Sequence, residues 1–327
     1  MFVNLYAKAF TKKKTIEKQI ADLSKLIETY KEKSIEDYFK GEEFETKKGS
    51  CYKIKESRKL KLSTISKLKA KNNILNDLKL IKGIGDSKAE ILRSNGYETI
   101  EDLREHPRYS NDACEIVEIV EQGDFSKITD YVSNRYPKSH PSALYSSCFS
   151  PDENYLFLDI ETLGLKNVPL ILIGVASVES KNIVVDQYLL RDLKEEGAAL
   201  EAFISHVDED TVFVSFNGQT FDLPYIKERM RYHGIKQNLQ RHHLDLLHFS
   251  RRTWKDQLPN CKLQTLEKHL FNFEREDDVP SSMVPSFYKT YDETGNIGPL
   301  IPIVEHNRED VVTLARILSR LHTELDE

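Results

Sequence analysis

The spacing of hydrophobic and polar positions changes character partway along the chain. In residues 15–31 (TIEKQIADLSKLIETYK), Ile16, Ile20, Leu23 and Ile27 recur at three- and four-residue steps, one face of an amphipathic helix. That face is expected to pack within the N-terminal region. Residues 75–96 (LNDLKLIKGIGDSKAEILRSNG) read as two helices, the first ending at Ile81 and the second starting at Asp86, with the tight turn Gly83-Ile84-Gly85 between them. Residues 99–122 supply further helices but no second Gly-x-Gly. From 134 to 154 the pattern breaks, and Pro137, Pro141, Pro151 and several serines read as an interdomain linker. Beyond it, strands are predicted at 154–160, 169–177 and 182–189, a helix at 192–206, a strand at 211–215, a helix at 221–233 and a short strand at 243–247. Helices then run to the end.

These breaks divide the chain into an N-terminal basic region (1–72), a helical region around the Gly-x-Gly turn (73–133), a linker (134–153) and a mixed α/β region (154–327). A chain of 327 residues has room for two domains of ordinary size. Hydrophobic residues make up 39%, a globular rather than disordered composition. No run approaches the ~18–20 apolar residues of a membrane span. In MFVNLYAKAFTKKK the lysines follow the apolar stretch, the reverse of a signal peptide. A cytoplasmic protein with no membrane partner is expected. Cys51, Cys114, Cys148 and Cys261 form no CxxC pair and have no histidine at zinc-ligand spacing, which argues against a disulfide framework or a zinc site.

Charge is unevenly spread. Residues 1–140 hold 28 Lys+Arg against 23 Asp+Glu, net +5, while 141–327 hold 19 against 30, net −11. A basic half beside an acidic half suits a protein that grips a phosphate backbone with one part and holds metal ions with the other. The run Lys53, Lys55, Arg58, Lys59, Lys61, Lys67, Lys69 and Lys71 meets only Glu56 as a counter-charge. It reads either as a solvated face or as phosphate contacts.

Two residues of the Gly83-Ile84-Gly85 turn lack a Cβ, so the backbone bends sharply and can approach another molecule closely. The helix that follows presents unsatisfied amides at its N-terminus, a site for a phosphate. Lys82 and Lys88 flank the turn, and Leu75, Leu78, Ile81, Ala89 and Leu92 would pack the two helices. The stretch resembles the helix-hairpin-helix motif, which holds a DNA backbone without reading its sequence. That likeness implies nucleic-acid contacts by Lys82, Gly83, Gly85 and Lys88. A purely structural or protein-docking hairpin is the alternative.

The clearest chemistry lies in YLFLDIETLGL (155–165). Asp159 and Glu161 stand at i and i+2 at a strand end, so both carboxylates leave one face of the sheet. Two acids on a strand otherwise made of Leu, Phe and Ile are unfavourable unless positive charge sits between them. A divalent cation such as Mg²⁺, which takes a few carboxylates plus water and substrate phosphate, meets that need. In VSFNGQTFDLPYI, Asn217 closes a strand and Asp222 opens a helix. In IVEHNREDVVTLARIL, His306 and Asp310 stand one helical turn apart on the same face.

Together these three stretches resemble the three exonuclease motifs of the DEDD superfamily. The succession HLDLLHFSRRTWKDQLPNCKLQTLEKHLF, REDDVPSSMVPSFYKTY and TGNIGPLIPIVEHNRED is similar to the YprB-like branch of RNase H-fold exonucleases, a likeness covering residues 152–320. It implies an α/β fold, an RNase H-like mixed sheet with flanking helices, behind a mostly α helix-hairpin-helix domain. It implies metal ligation by Asp159, Glu161, Asp222 and Asp310, two ions of Mg²⁺ or Mn²⁺, and 3′→5′ hydrolysis of phosphodiester bonds in nucleic acid, DNA favoured and RNA possible. By the same likeness Asn217 and Phe221 line the 3′ end, and Leu165 is either a wedge against the terminal base or ordinary core. Asp245 reads as a structural hydrogen-bonding residue, and Arg251 or Arg252 as a phosphate contact. A structure-selective endonuclease, or a catalytically silent nucleic-acid-binding protein, would use the same fold. The complete acidic set argues against the silent protein.

The chain departs from these relatives at the general base. One DEDD subclass places Tyr four positions before the last Asp, and the other places His five positions before it. Here His306 holds the tyrosine spacing and Glu305 the histidine spacing. His306 faces the metal site with Asp310, whereas Glu305 points about 100° further round. An imidazole with a pKa near about 6.5 accepts a proton at neutral pH, so His306 is expected to be the base. A structural His bonded to a neighbouring loop is the plain alternative.

Overall fold

The computed structural model describes residues 23–276 and 278–326. Ile16 and Ile20 of the expected first helix lie outside the described residues. Residues 23–29 are helical (α1) and a short helix α2 follows (Ile35–Tyr38). Leu23, Leu26 and Tyr30 pack on a cluster that also holds Ile297, Leu300 and Val304, and Asn296 Nδ2 donates to the Ile27 carbonyl at 2.8 Å. The same cluster holds Ile35, Phe39, Tyr52 and Ile54, and the Tyr30 ring meets that of Tyr38, so this face packs within the N-terminal region and docks on the far end of the chain as well.

Five helices, α3 (Lys67–Leu75), α4 (Asp86–Ser94), α5 (Ser110–Gln122), α6 (Phe125–Arg135) and α7 (Pro141–Ser147), enclose most of a core that includes Ile74, Leu78, Ile84, Ile100, Ile116 and Ile128. The first helix of the glycine turn ends at Leu75 rather than at Ile81. The Asp77 carboxylate accepts from the Lys79 amide at 3.2 Å and draws Leu78–Leu80 into a single 3₁₀ turn, the competition for backbone amides at which Asp excels. The linker expected at 134–153 is likewise a packed element. Pro141 opens α7 at its first turn, where a missing N–H is harmless. His140 Nδ1 accepts from the Ser142 amide at 3.2 Å, and its ring stacks on Tyr136 with centroids 3.8 Å apart. Tyr155 Oη then donates to the Ser147 carbonyl at 2.8 Å, tying α7 to the sheet.

The sheet has seven strands in the order β1-β2-β5-β4-β3-β6-β7. Five were expected: β3 (Tyr155–Thr162), β4 (Leu170–Glu179), β5 (Asn182–Leu189), β6 (Val212–Ser215) and β7 (His242–Asp245). β3, β4 and β5 pair antiparallel, and β6 and β7 continue parallel to β3. Parallel neighbours need crossovers, here α8 (Glu196–Ile204) and α9 (Asp222–Tyr232). The other two strands, β1 (Gly41–Thr46) and β2 (Gly49–Lys59), come from the segment read as a separate basic region, and β2 pairs with β5 from Tyr52↔Leu189 to Lys59↔Asn182. Residues 41–59 therefore belong to the sheet, and the boundary expected at 72 does not divide them from it. The basic run also finds partners: Lys53 with Asp186, Arg58 with Glu56 and Glu309, Lys69 with Asp326 and Lys71 with Glu121.

The long helix α13 (Leu300–Asp326) covers one face of the sheet, with α10 (Leu246–Trp254), α11 (Leu263–Phe271) and α12 (Val284–Thr294) beside it. α8 and α9 cover the other. Along β3, Tyr155 and Phe157 join the α13 side, while Leu156, Leu158 and Ile160 join the α8–α9 side. Each such ring or aliphatic side chain contributes about 1.5–3 kcal/mol when fully buried, so the register is strongly fixed. Asp159 and Glu161 consequently project toward α13. Among the described residues no helix is long and apolar enough to cross a membrane.

Candidate active site

Asp159 and Glu161 leave β3 close to a register shift at Glu161/Thr162, an irregularity that re-aims side chains at strand ends. Asp222 is the first residue of α9, and its Oδ1 accepts from the Ile160 amide at 3.2 Å. That bond ties the helix start to β3 between the two acids. On α13, His306 Nε2 lies 3.6 Å from Asp310 Oδ2 and 3.9 Å from Glu161 Oε1. Three distant segments thus bring Asp159, Glu161, Asp222, His306 and Asp310 into one electrostatic cluster.

The cluster's charge shows in its proton affinities. Burial, and then the charges of Asp310, Glu161 and Asp222, push Asp159 well above the usual carboxylate range. Glu161 is pushed well up by burial and by Asp310 and Asp222. Burial lifts Asp222 to about 7 against the two amide bonds that favour its charge. Burial also raises Asp310, although His306 and Arg275 oppose it. For His306 burial opposes the charge, but the bond to Asp278 and the nearby Asp310 outweigh it and raise the imidazole above its ordinary value.

Four residues that the sequence did not single out complete the centre. Arg275 donates to Asp310 Oδ1 at 2.5 Å and to the His306 carbonyl at 3.3 Å, while gripping Glu267 at 2.6 and 2.9 Å. Asp278 Oδ1 lies 2.7 Å from His306 Nδ1. Asn307 Nδ2 donates to Asp159 Oδ2 at 2.9 Å. His306 is therefore bonded to a neighbouring loop and also faces Glu161 and Asp310. Arg275 and Asp278 stood in the charged stretch REDD, which has no period to show that it returns to α13. Asn307 stood inside HNRED, next to His306.

The donor set fits a hard divalent cation. All four acids offer oxygen and repel one another when ionised, the Arg275 guanidinium on Asp310 is shared with Glu267, and His306 is held by Asp278. Among the described residues no group of three or more His, Cys, Asp or Glu side chains is arranged to hold a metal ion as the side chains stand. Arg275, Asn307 and the Ile160 amide each take one carboxylate oxygen of the set.

In the loop after β3, Leu165 is 79% exposed, which excludes the core reading. Its loop is pinned by Tyr225, whose hydroxyl donates to the carbonyls of Gly164 and Val168 at 3.1 and 2.7 Å. Asn217 has a left-handed φ of 71°, and its amide and that of Gln219 donate to Asp245 at 2.8 and 3.2 Å. Asp245 also caps α10 through the Leu247 amide at 3.2 Å, a structural role. The half-buried Phe221 ring lies 5.5 Å from that of Tyr225. Arg251 and Arg252 are exposed on α10.

The glycine turn lies in the helical module, apart from the acids. Gly83 adopts φ +87° with open space beside it, and Gly85 caps α4 with open space too. Lys82 is exposed, whereas Lys88 Nζ folds back to the Gly83 carbonyl at 2.9 Å. Arg135 clamps the turn from α6, donating to the carbonyls of Lys79 and Ile84 at 2.5 and 2.6 Å. Between module and site, Lys138 Nζ donates to Gln219 Oε1 at 3.3 Å.

Antiparallel β3–β5, parallel β6 and β7, and carboxylates gathered at the end of β3 define an RNase H-like fold, the fold of nucleases. A family model described as RNase_H superfamily matches residues 156–322, and the chain belongs to that superfamily. A curated relative, "Uncharacterized protein YprB" of Bacillus subtilis (strain 168), is 33% identical over 168 residues, which is 49% of this chain and 40% of the relative. The match thus spans less than half of that relative's length. Among solved structures, the family B DNA polymerase from the hyperthermophilic archaeon Pyrobaculum calidifontis overlaps 52% of this chain and 25% of its own, with a TM-score of 0.42 and 16% identity.

Proposed function

We propose that the chain is a metal-dependent 3′→5′ exonuclease that hydrolyses phosphodiester bonds of nucleic acid, with DNA as its substrate. The observation that carries this reading is the meeting of Asp159, Glu161, Asp222 and Asp310 from a strand end, a helix start and a long helix, with His306 against two of them. Two Mg²⁺ or Mn²⁺ ions held by these carboxylates would supply the positive charge that acidifies water and stabilises the leaving 3′-oxygen. Asp159 and Asp310 would hold one, and Glu161 with Asp159 the other, while Asp222 steadies the cluster. His306 acts as general base. Asp278 holds its Nδ1, so the lone pair sits on Nε2, the atom that faces Glu161 and Asp310. The water oxygen bonds to phosphorus, its proton passes to Nε2, and the bond from phosphorus to the preceding 3′-oxygen breaks, releasing a 5′-mononucleotide.

Leu165 serves as the wedge at the terminal base, with Asn217 and Phe221 lining the 3′ end. The helical module, residues 73–133, grips the backbone through the start of α4 together with Lys82, Gly83, Gly85 and Lys88. A 3′-labelled strand incubated with purified protein and Mn²⁺ tests the activity. Release of labelled mononucleotide is expected. Internal cutting would favour an endonuclease, and binding without cutting a silent protein.

A further inference from the structure

Asn307 and Gln187 are fully buried, at 0% exposure, and neither belongs to the acidic set. Gly174 pairs with Asp159 on one side and Gln187 on the other, so the three form one row across β3, β4 and β5. The row's centre is bare, and Asn307 comes down from α13 to fill it. A Cβ on Gly174 would stand 2.1 Å from Asn307 Oδ1, so only glycine leaves this room.

The hydrogen bonds along the row have a fixed direction. Arg308 Nε donates to Gln187 Oε1 at 3.2 Å, and a guanidinium cannot accept, so the oxygen of Gln187 must face it. Gln187 Nε2 then donates to the Val304 carbonyl at 2.8 Å and to Asn307 Oδ1 at 2.9 Å. With Oδ1 so engaged, Asn307 Nδ2 donates to Asp159, to Oδ2 at 2.9 Å and to its carbonyl at 3.1 Å. At the outer end Arg308 Nη1 pairs with Glu56 of β2 at 3.1 Å and with Glu305 at 2.9 Å. Neither amide can flip without breaking a buried bond.

We propose that this chain of side chains, from Glu56 through Arg308, Gln187 and Asn307 to Asp159, positions the Asp159 carboxylate for its cations and makes the β1–β2 hairpin part of the catalytic unit. Asn307 and Gln187 are positioning residues, acting through Asp159. The proposal rests on the exonuclease reading above, in which Asp159 is a ligand. Without its donor the carboxylate can rotate away from the geometry the cations need. Loss of such a partner typically costs about 10–100-fold in metal affinity or activity.

The test uses the full chain, Mn²⁺ titrated by calorimetry, and steady-state cleavage of a labelled strand. Asn307→Leu keeps the branching of the side chain and removes its hydrogen bonds to Asp159 and Gln187. Mn²⁺ affinity and kcat should fall about 10–100-fold, KM for the strand should hold, and raised Mn²⁺ should recover part of the rate. Gln187→Glu keeps the acceptor for Arg308 but loses the donor to Asn307, and should fall in the same sense. Added to Asn307→Leu, it should cost little more, because both act on one carboxylate. Should Asn307→Leu fail to fold, Gln187→Glu decides, and wild-type Mn²⁺ affinity in it overturns the proposal. Asp159→Asn separates the two levels. If it abolishes Mn²⁺ binding and cleavage while the Asn307 and Gln187 variants match wild type, the relay is wrong and the exonuclease reading stands. If Asp159→Asn itself binds Mn²⁺ and cleaves normally, both fall.

Discussion

His306 Nδ1 lies 2.7 Å from Asp278 Oδ1, a contact between α13 and the loop ahead of α12. It fixes which imidazole nitrogen faces the acids and raises the ring's proton affinity. His306→Ala should lose about 10²–10⁴-fold in kcat with Mn²⁺ binding retained. A base works only when neutral, so the wild-type rate should climb as pH rises through the His306 pKa and then level off. Asp278→Asn removes the charge that holds this pKa up, so the rising limb should move to lower pH, together with a smaller loss of rate. Glu305→Ala should stay near wild type, because Glu305 faces Arg308 rather than the acids. A His306→Ala enzyme within a few-fold of wild type, or the reverse ranking, contradicts the assignment.

Asp159→Ala and Asp310→Ala should each abolish cleavage while leaving nucleic-acid binding largely intact, since the grip proposed above lies in the helical module. Cleavage of a labelled strand and gel-shift binding check both halves. Substantial residual activity in either variant would overturn the placement of the cations.

Replacing Gly83 and Gly85, or Lys82 and Lys88, should weaken binding without moving the cleaved bond. Removal of one phosphate-binding group makes the salt dependence of binding shallower, by about 0.7 in slope on single strands or 0.9 on duplex. Arg135→Ala should act in the same direction, since Arg135 holds the carbonyls of Lys79 and Ile84 that shape the turn. An unchanged slope would point to a structural or protein-docking hairpin.

Asp159, Glu161 and Asp310 sit above the usual carboxylate range in the folded protein, and Asp222 at about 7. Each binds its proton more tightly folded than unfolded. Their contribution to stability is therefore complete below about pH 4 and is lost as pH rises toward the folded values. His306, also raised, has the same sign. Burial holds His243 at about 3 and His322 at about 4, so they act in the opposite sense, weakening the fold as pH falls. Comparison with Asp222→Asn isolates the contribution of Asp222: the Tm of cation-free wild type should fall relative to that variant between about pH 5 and 7. Mn²⁺ should raise the wild-type Tm more at the upper end. Parallel curves would remove Asp222 as the cause, and an equal Mn²⁺ effect at both ends would speak against cation binding at the acids.

Several features of this protein were legible without coordinates, because they are properties of local backbone geometry. A period of two in YLFLDIET puts Asp159 and Glu161 on the face of Tyr155 and Phe157 in any sheet, and four residues between His306 and Asp310 put both on one side of any helix. The strands from β3 to β7 and the helices α8 and α9 followed from the same periods. Tertiary structure alone decided the rest. Strands β1 and β2 hid in a run of charges, because the edge strand β1 and its neighbour β2 leave many side chains exposed and are held by backbone bonds that most residues can make. Pro141, which looked like part of a linker, opens a packed helix, since the first turn of a helix has no use for its missing N–H. Arg275 and Asp278 reach the acids along a loop whose path is set by how α11 and α12 pack. Asn307 reaches Asp159 only because a glycine on the neighbouring strand leaves space for it. Periodicity specifies the direction in which a side chain leaves its own element. What that side chain meets depends on strand order and helix packing, which a single segment does not encode.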